Sequence, residues 1–371
     1  MISCCNIDPF VAQPLSAYHL PGTIVEAARY GNGHINDTFC VVCQLDNGEH
    51  IRYILQGLST VAFPYPEKVM ENFVGITEHL REKIRLAGGD VSRETLQLIP
   101  TKEGTTHYTD VNGKVWRMML FVDGTDCYQS ATPQLFESAA RAFGRFQLLL
   151  SDYPLETLHE TIRDFHNTEV RFENFMRSVR EDRCCRVSEV TREIEFIVNR
   201  KADCSVLMQA LREQKLPLRV THNDTKLNNI LIDRNTGYGI CVIDLDTTMP
   251  GLSVNDFGDA IRYGANRPVG DGIGPDDVTF DLALFEIFTK GFLEGTAGAL
   301  TDWELYFLPW GARLMTLECG MRFLTDYLDG DVYFRTSYPK ENLYRCRRQF
   351  KLLIGMEEQF EDMMNIVRKY C

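Results

Sequence analysis

One polar stretch between apolar runs constrains the fold of this chain more than any other feature. Residues 221–229 read T-H-N-D-T-K-L-N-N and contain the pattern H-x-D-x-x-x-x-N. The apolar runs 230–232 and 240–243 follow, the turn-forming sequence R-N-T-G lies between them, and Asp244 ends the second run. Apolar runs joined by Asn and Gly are typical of the two strands of a hairpin. We therefore predict a loop that leads into a β-hairpin.

The predicted hairpin places Asn229 opposite Asp244 at its open end. An amide oxygen and a carboxylate then converge on one hard cation, as magnesium requires. Asp224 lies in the loop five residues before Asn229, so it is left to accept the proton of a hydroxyl group. This order of base, amide and carboxylate is typical of phosphoryl transfer, for which ATP and Mg²⁺ are the expected cofactors. In the alternative interpretation, these Asp and Asn residues only mark turns.

The rest of the sequence predicts an α+β fold with two lobes. Strand-like segments fill the first third, and one helix with apolar positions between 69 and 84 interrupts them. The strand-like segments are 24–27, 37–45, 51–56, 95–99, 105–109 and 114–122. Helical spacing dominates later, so we predict a small β-rich, nucleotide-binding lobe over 1–122 and a larger, mainly helical, catalytic and substrate-binding lobe over 123–371. We expect the nucleotide to bind between the lobes.

Charge and composition argue against several classes of function. The formal net charge of −13 disfavours binding to nucleic acid or to an anionic membrane surface. No apolar run is long enough to span a bilayer, and residues 1–10 lack the basic flank and apolar core of a secretory signal. The twelve cysteines are scattered, which favours free thiols in a reducing cytoplasm. We expect a cytoplasmic monomer or weak homo-oligomer that acts on a small molecule.

A glycine-containing segment precedes the second predicted strand. Residues 31–38 read G-N-G-H-I-N-D-T. We predict that Gly31 and Gly33 let backbone amides approach nucleotide phosphates, with His34 and Asn36 beside them. The segment is not a Walker A loop, because no Gly-Lys-Ser/Thr follows, and it is not a dinucleotide fingerprint, because a strand follows it. Two such glycines alone usually make only a turn.

The strand 51–56 lacks the lysine that a lobe of this kind is expected to carry. Gln56 stands at the expected position. Glutamine can hydrogen-bond a phosphate but adds no positive charge, so either another cation and the metal offset the phosphate charge or the protein is catalytically weakened. At the end of the lobe, we expect backbone groups near Met119 and Phe121 to contact adenine.

These residues resemble the aminoglycoside-phosphotransferase-like superfamily of small-molecule kinases and, within it, the N-acetylhexosamine 1-kinases. The most specific matching segments are T-H-N-D-T-K-L-N-N-I-L and I-D-L-D-T-T-M-P-G, and the resemblance spans nearly the whole chain. It implies a protein-kinase-like fold and ATP-dependent phosphorylation of the anomeric hydroxyl of GlcNAc or GalNAc. Asp224 would be the base, Asn229 and Asp244 would bind magnesium, and Gln rather than Lys at position 56 is itself a feature of this branch.

The resemblance also implies that Arg322 and Tyr333 bind the sugar, with Asp246 lining the site. Arg322 lies in an apolar helical stretch, where an unpaired guanidinium is costly. An internal ion pair with Asp326 or Glu318 is the alternative role for it.

Two alternatives to the sugar kinase remain open. The first is another small-molecule kinase, acting on choline, homoserine, an aminoglycoside or a different sugar. The second is a nucleotide-binding regulatory pseudokinase, which the missing lysine favours and which the intact Asp224, Asn229 and Asp244 oppose.

Overall fold

An antiparallel sheet forms most of the small lobe. The computed structural model describes residues 6–31, 35–130, 132–268 and 278–371. The sheet order is β1-β2-β3-β4-β6-β5, and only the β1–β2 pair is parallel. The elements of this lobe are β1 (Asn6–Ile7), α1 (Ala12–Ser16), β2 (Thr23–Arg29), β3 (Asp37–Gln44), β4 (His50–Gly57), α2 (Pro66–Leu86), β5 (Tyr108–Thr109) and β6 (Val115–Leu120). The strand predicted over 95–99 is wrong, because only an isolated bridge from Leu98 to Met119 forms there.

Strand β3 alternates between the core of the small lobe and a half-buried face. Phe39, Val41 and Cys43 are buried, and Cys40 lies on the opposite face. Cys40 and Cys43 have the C-x-x-C spacing, but residues three apart on a strand point to opposite faces. The two thiols therefore cannot bind one metal ion, and both are free.

Helix α2 belongs to the small lobe by sequence and to the core of the large lobe by packing. Pro66 occupies the first turn, where its missing N–H costs nothing, and Gly88 with φ +75° follows the last turn. Its apolar face, which includes Phe73 and Ile76, joins the apolar cluster of the large lobe, whereas the sheet packs around a cluster of its own. Asn72 of α2 donates to the carbonyl oxygens of His159 (2.8 Å) and Thr248 (3.1 Å) in the large lobe.

The large lobe is mainly helical, so the predicted two-lobed α+β architecture is confirmed. Its helices are α3 (Pro133–Leu149), α4 (Thr168–Glu181), α5 (Thr191–Val198), α6 (Val206–Arg212), α7 (Ser253–Gly264), α8 (Leu282–Thr296), α9 (Asp302–Asp329), α10 (Glu341–Glu358) and α11 (Phe360–Tyr370). The amphipathic run 343–370 therefore forms two helices that meet at Gln359. Within the described part of the chain, no helix is both long and apolar enough to cross a membrane.

Helices α7 and α9 cross at glycines. A Cβ added to Gly258 would lie 2.3 Å from the carbonyl oxygen of Gly311, and one added to Gly311 would lie 2.1 Å from that of Val254. The two backbones can approach this closely only because neither glycine has a side chain. This crossing fixes α9 against the helix that supports the polar motif.

Short strands carry the polar motif. They are β7 (Thr125–Asp126), β8 (Arg219–Thr221), β9 (Ile230–Asp233), β10 (Gly239–Val242), β11 (Met249–Gly251), β12 (Asn266–Pro268) and β13 (Val278–Phe280). Strands β9 and β10 form the predicted hairpin, in which Ile230 pairs with Val242. The Asp233 carboxylate accepts from the backbone N–H groups of Asn235 (3.0 Å) and Thr236 (2.8 Å), which closes the turn.

Candidate active site

The loop after β8 is held by a buried carboxylate. The backbone N–H groups of His222 (2.9 Å) and Asn223 (2.7 Å) donate to Asp256 of α7, and Gln147 of α3 donates to the same side chain at 2.9 Å. Asn223 has a left-handed conformation with φ +63°. The turn at Asn223 directs the next residue, Asp224, out of the buried layer, where it is half-buried.

His222 braces this loop. Its ring is fully buried between Phe143 and Phe146. Its Nε2 contacts the carbonyl oxygen of Ile243 at 2.9 Å, and its Nδ1 accepts from the backbone N–H of Asp224 at 3.2 Å. These contacts fix the neutral tautomer with the proton on Nε2. The ring therefore connects the loop to the hairpin and does not face a substrate.

The carboxylate of Asp224 has one occupied and one available oxygen. Its Oδ2 receives the Lys226 ammonium at 2.8 Å and the Asn229 side-chain amide at 3.2 Å. Its Oδ1 accepts no hydrogen bond from any residue in the described segments. A carboxylate oriented in this way is suited to accept a proton from a hydroxyl group. The sequence argument did not single out Lys226, although its place two residues after Asp224 was a usable signal.

The open end of the hairpin brings Asn229 opposite Ile243, one residue before Asp244, so the predicted pairing of Asn229 with Asp244 is off by one position. The N–H of Ile243 donates to the carbonyl of Asn229 at 2.9 Å, and Asp244 follows with φ +62°. The Asp244 carboxylate has no hydrogen bond or ion pair with a described residue. Part of the Asp244 side chain reaches solvent, but protein atoms surround the carboxyl group on its other sides. The resulting desolvation, together with the negative charges of Asp246 and Asp224, raises the pKa of Asp244 to about 6. The Lys226 ammonium lowers this pKa but does not outweigh burial and the two carboxylates.

The residues at this point fit a divalent cation bound together with a nucleotide. The Asn229 amide nitrogen donates to the Asp224 carbonyl at 2.8 Å, so its oxygen is left as a ligand beside the unpaired Asp244 carboxylate. In the segments that the structure describes, no three His, Cys, Asp or Glu side chains converge on a metal site. One or two protein ligands completed by phosphate oxygens are characteristic of Mg²⁺.

The predicted nucleotide contacts of the small lobe are only partly available. Gly31 has φ +77° and open space around its Cα, whereas Gly33 and His34 lie outside the described residues. Asn36 does not face an open pocket, because its amide donates to Asp246 at 2.6 Å and accepts from the N–H of Ser59 at 3.0 Å. Gln56 contacts Arg117 and Thr38.

In the segment predicted to contact adenine, the backbone N–H of Phe121 already has a hydrogen-bond partner within the protein. The N–H of Phe121 donates to the carbonyl of Arg52 at 3.0 Å, and the Arg52 guanidinium lies 4.0 Å from the centre of the Phe121 ring. Met119 is a buried strand residue paired with Ile54. The N–H of Phe121 is therefore not free to bind a base.

Asp246 does not line an acceptor pocket, contrary to what the resemblance implied. Its side chain is 2% exposed, and its Oδ1 lies 2.6 Å from the Nη2 of Arg117. Arg117 was not among the predicted site residues, although an arginine inside the apolar strand V-W-R-M-M-L requires a buried partner.

Arg322 lies against aromatic rings and has no carboxylate partner among the described residues. Its guanidinium carbon is 5.0 Å from the ring centre of Phe165, 5.6 Å from that of Phe334 and 5.7 Å from that of Tyr333. The two acids considered as partners are engaged elsewhere. Glu318 binds His166 (2.8 Å) and Thr168 (2.9 Å), and Asp326 accepts from the backbone N–H groups of residues 332–334. Neither acid therefore forms a direct ion pair with Arg322. Burial lowers the pKa of Arg322, but Tyr333 and the Glu318 carboxylate nearby raise it above its usual value.

His166 connects this aromatic cluster to the loop of Asp224. Its Nδ1 faces Glu318 of α9 at 2.8 Å, and its Nε2 faces the carbonyl oxygen of Asn223 at 3.0 Å. Phe165, which contacts Arg322, immediately precedes it. Arg322 is thus connected to the loop of Asp224 through a short chain of half-buried contacts.

Comparison with known proteins gives matches to one family model and to several solved structures. A family model described as "Phosphotransferase enzyme family" matches residues 31–286. The chain is similar to an aminoglycoside phosphotransferase from Alicyclobacillus acidocaldarius subsp. acidocaldarius DSM 446, with 11% identity and a TM-score of 0.61 over 98% of this chain and 96% of that chain. It is also similar to a microcompartment-associated aminopropanol kinase, with 15% identity and a TM-score of 0.58 over 96% and 98% of the two chains. A choline kinase from Cryptosporidium parvum Iowa II matches with 15% identity and a TM-score of 0.54 over 98% and 96%. At these identities, the structural matches establish a shared fold.

Proposed function

This chain belongs to the phosphotransferase enzyme family. From the resemblance of its motifs to those of the N-acetylhexosamine 1-kinases, we propose that it phosphorylates the anomeric hydroxyl of an N-acetylhexosamine such as GlcNAc or GalNAc. ATP is the proposed phosphate donor and Mg²⁺ the proposed metal. In this proposal, residues 1–122 bind the nucleotide with the help of the metal ligands, and residues 123–371 carry the base and the acceptor site.

The surroundings of Arg322 are the observation that favours an uncharged acceptor. Choline carries a quaternary ammonium, which proteins bind inside a cage of aromatic rings. Here the guanidinium of Arg322 itself lies among Phe165, Tyr333 and Phe334. Burial and the nearby Arg322 lower the pKa of Arg171, so a second guanidinium lies within electrostatic range. The Glu318 carboxylate lies within electrostatic range of both arginines and offsets part of their charge. The guanidinium of Arg322 supplies several N–H donors, which favour an acceptor that offers oxygen atoms.

The aromatic residues also suit a sugar ring. Tyr333 is 54% exposed, and its ring lies edge-on to that of Phe334. Exposed aromatic faces pack against the C–H surface of a sugar, while Arg322 can donate to its oxygen atoms. GlcNAc and GalNAc present both a C–H face and an amide oxygen.

The residues of this chain have separate roles in the proposed reaction. Asp224 accepts the proton of the anomeric hydroxyl through Oδ1, while Lys226 and Asn229 hold its other oxygen. Asn229 and Asp244 bind Mg²⁺, which when bound offsets the charge on the phosphate oxygens. His222 and Asp256 keep the loop rigid, so that the base does not have to be reoriented for each turnover.

A screen of ADP release with ATP and Mg²⁺ tests the proposal. The acceptors are GlcNAc, GalNAc, glucose, galactose, choline, aminopropanol and an aminoglycoside. We expect turnover with the N-acetylhexosamines and formation of the 1-phosphate, identified by NMR. Preferential turnover of a cationic acceptor would contradict the proposed substrate, and absence of turnover with measurable ATP binding would favour the pseudokinase.

A further inference from the structure

A buried arginine supplies the positive charge that Gln56 lacks. Arg117 of β6 is 1% exposed and lies directly opposite Gln56 of β4 in the strand register. Its Nε and Nη2 donate to the Gln56 amide oxygen at 3.0 and 2.6 Å. A positive charge therefore lies on the strand next to Gln56, and the two hydrogen bonds from Arg117 hold the Gln56 side chain in one orientation.

The Arg117 guanidinium also contacts Asp246 of the large lobe, close in sequence to the proposed metal ligand Asp244. Its Nη2 lies 2.6 Å from Oδ1 of Asp246, which follows Asp244 by two residues. The other oxygen of Asp246 accepts from Asn36 at 2.6 Å, and Asn36 in turn accepts from the N–H of Ser59. A carboxylate of the large lobe is therefore held by two separate segments of the small lobe.

Stability alone does not account for this arrangement. Burying an ion pair costs desolvation energy that the pair often fails to recover. Nη1 of Arg117 and Oδ1 of Asp246 have no hydrogen-bond partner among the described residues, so the 2.6 Å contact between Nη2 and Oδ1 is an ion pair without hydrogen-bond alignment, which adds to that cost. The guanidinium also lies 4.2 Å from the ring centre of Phe73 in α2, so it contacts β4, α2 and Asp246 of the large lobe at once. An arrangement of this kind favours a role in fixing geometry.

We propose that Arg117 is a positioning residue that joins the two lobes through Asp246 and thereby fixes Asp244 for the metal-bound nucleotide. Arg117 does not touch the reacting atoms in this proposal. The inference rests on the phosphotransferase function proposed above, because it assigns Asp244 to the metal.

An Arg117→Met variant tests the role, with ADP as the probe in the presence and absence of Mg²⁺. We expect the Mg²⁺-supported ADP affinity to fall about tenfold, equivalent to about 1.4 kcal/mol, while the affinity without Mg²⁺ is nearly unchanged. We expect kcat to fall about 100-fold, because small displacements of reacting groups have effects of this size. ADP binding can be measured without an acceptor. If the wild-type protein shows no turnover, the proposed function fails, but the ADP affinities of the wild type and of Arg117→Met can still be compared.

A double variant, Arg117→Met with Asp246→Leu, separates positioning from stability. Replacing both charges removes the uncompensated Asp246, so the unfolding midpoint should recover towards that of the wild type. The Mg²⁺-supported affinity and kcat should stay low. Their recovery along with stability would overturn the proposal, as would an Arg117→Met variant with unchanged Mg²⁺ dependence.

Two further variants keep the test decisive. Arg93→Met breaks another ion pair between the lobes, at 2.6 Å to Asp233, and should lower the unfolding midpoint without changing the Mg²⁺ dependence. If Arg117→Met does not fold, Arg117→Lys takes its place, because it keeps the charge and loses the fork that contacts Gln56 and Asp246 together. A lysine variant with wild-type Mg²⁺ dependence would overturn the proposal.

Discussion

The side-chain nitrogen of Asn229 donates to both the backbone carbonyl (2.8 Å) and the carboxylate (3.2 Å) of Asp224. One amide therefore fixes the proposed base, and its remaining oxygen is left as a proposed metal ligand. The base and the metal site cannot shift independently, and this coupling determines how substitutions at either position should behave.

Asp224→Asn should lower kcat by about 10²–10⁴-fold, the usual contribution of a general base. The amide keeps the shape of the side chain but cannot take the proton, so ADP affinity with Mg²⁺ should stay near that of the wild type. Steady-state kinetics and calorimetry check both quantities. Asp152→Asn, which alters an exposed ion pair with Lys83, is the control. A near-normal kcat for Asp224→Asn would remove the role assigned to this residue.

The Mg²⁺-dependent gain in ADP affinity should disappear as the pH falls through about 6, because burial and the neighbouring Asp246 and Asp224 raise the pKa of Asp244 to about 6. The carboxyl is protonated below this pKa and cannot bind a cation, and it is ionised above this pKa and can. Asp244→Asn should abolish the gain at every pH. ADP affinity without Mg²⁺, measured over the same pH range, is the reference. A gain that is constant across this range would contradict the assignment.

Arg322→Met should raise the KM for the acceptor about 10- to 100-fold, the range expected when a charge-assisted hydrogen bond to a ligand is lost. The KM for ATP should not change, since Arg322 contacts only the aromatic cluster. The matched control is Arg200→Met, because Arg200 also stacks on a ring, that of Phe196 at 3.6 Å, and pairs with Glu357 instead. Equal changes in both KM values would argue for a purely structural role of Arg322.

Asp326→Ala should weaken acceptor binding without contacting the acceptor. Its carboxylate accepts from the N–H groups of Val332 (2.9 Å), Tyr333 (2.7 Å) and Phe334 (2.9 Å), which places the two rings beside Arg322. Loss of these charge-assisted bonds frees the segment, so we expect the acceptor KM to rise about tenfold. Asp329→Ala, at the end of the same helix, is the control. An unchanged acceptor KM in Asp326→Ala would exclude this segment from recognition.

Gly311→Ala should lower the free energy of unfolding by about 1–3 kcal/mol, as overpacking in a tight interior does. The added methyl would lie 2.1 Å from the carbonyl oxygen of Val254, so α7 and α9 must separate. Urea unfolding measures the change. A midpoint equal to that of the wild type would show that the crossing tolerates side chains.

The sequence contained enough local information to place the proposed base near the proposed metal ligands. Asp224 and Asn229 are five residues apart in one loop, and a tight turn returns the chain to Asp244. Loop length and strand alternation determine such short-range geometry almost completely. The helix over α2 and the strands β3, β4 and β6 were predictable for the same reason, since their apolar periods are local.

Only the tertiary structure determined which distant side chains meet. The sequence shows an Asp at position 246 but does not show whether its side chain contacts a sugar or an arginine. The pairing of Asp246 with Arg117 depends on how the two lobes pack against each other. Likewise, Arg322 had two acids at helical spacing, but His166 and the segment 332–334 engage them instead. Periodicity in a sequence reports which face of an element is buried, but partners across elements depend on packing and on which buried polar groups need a partner.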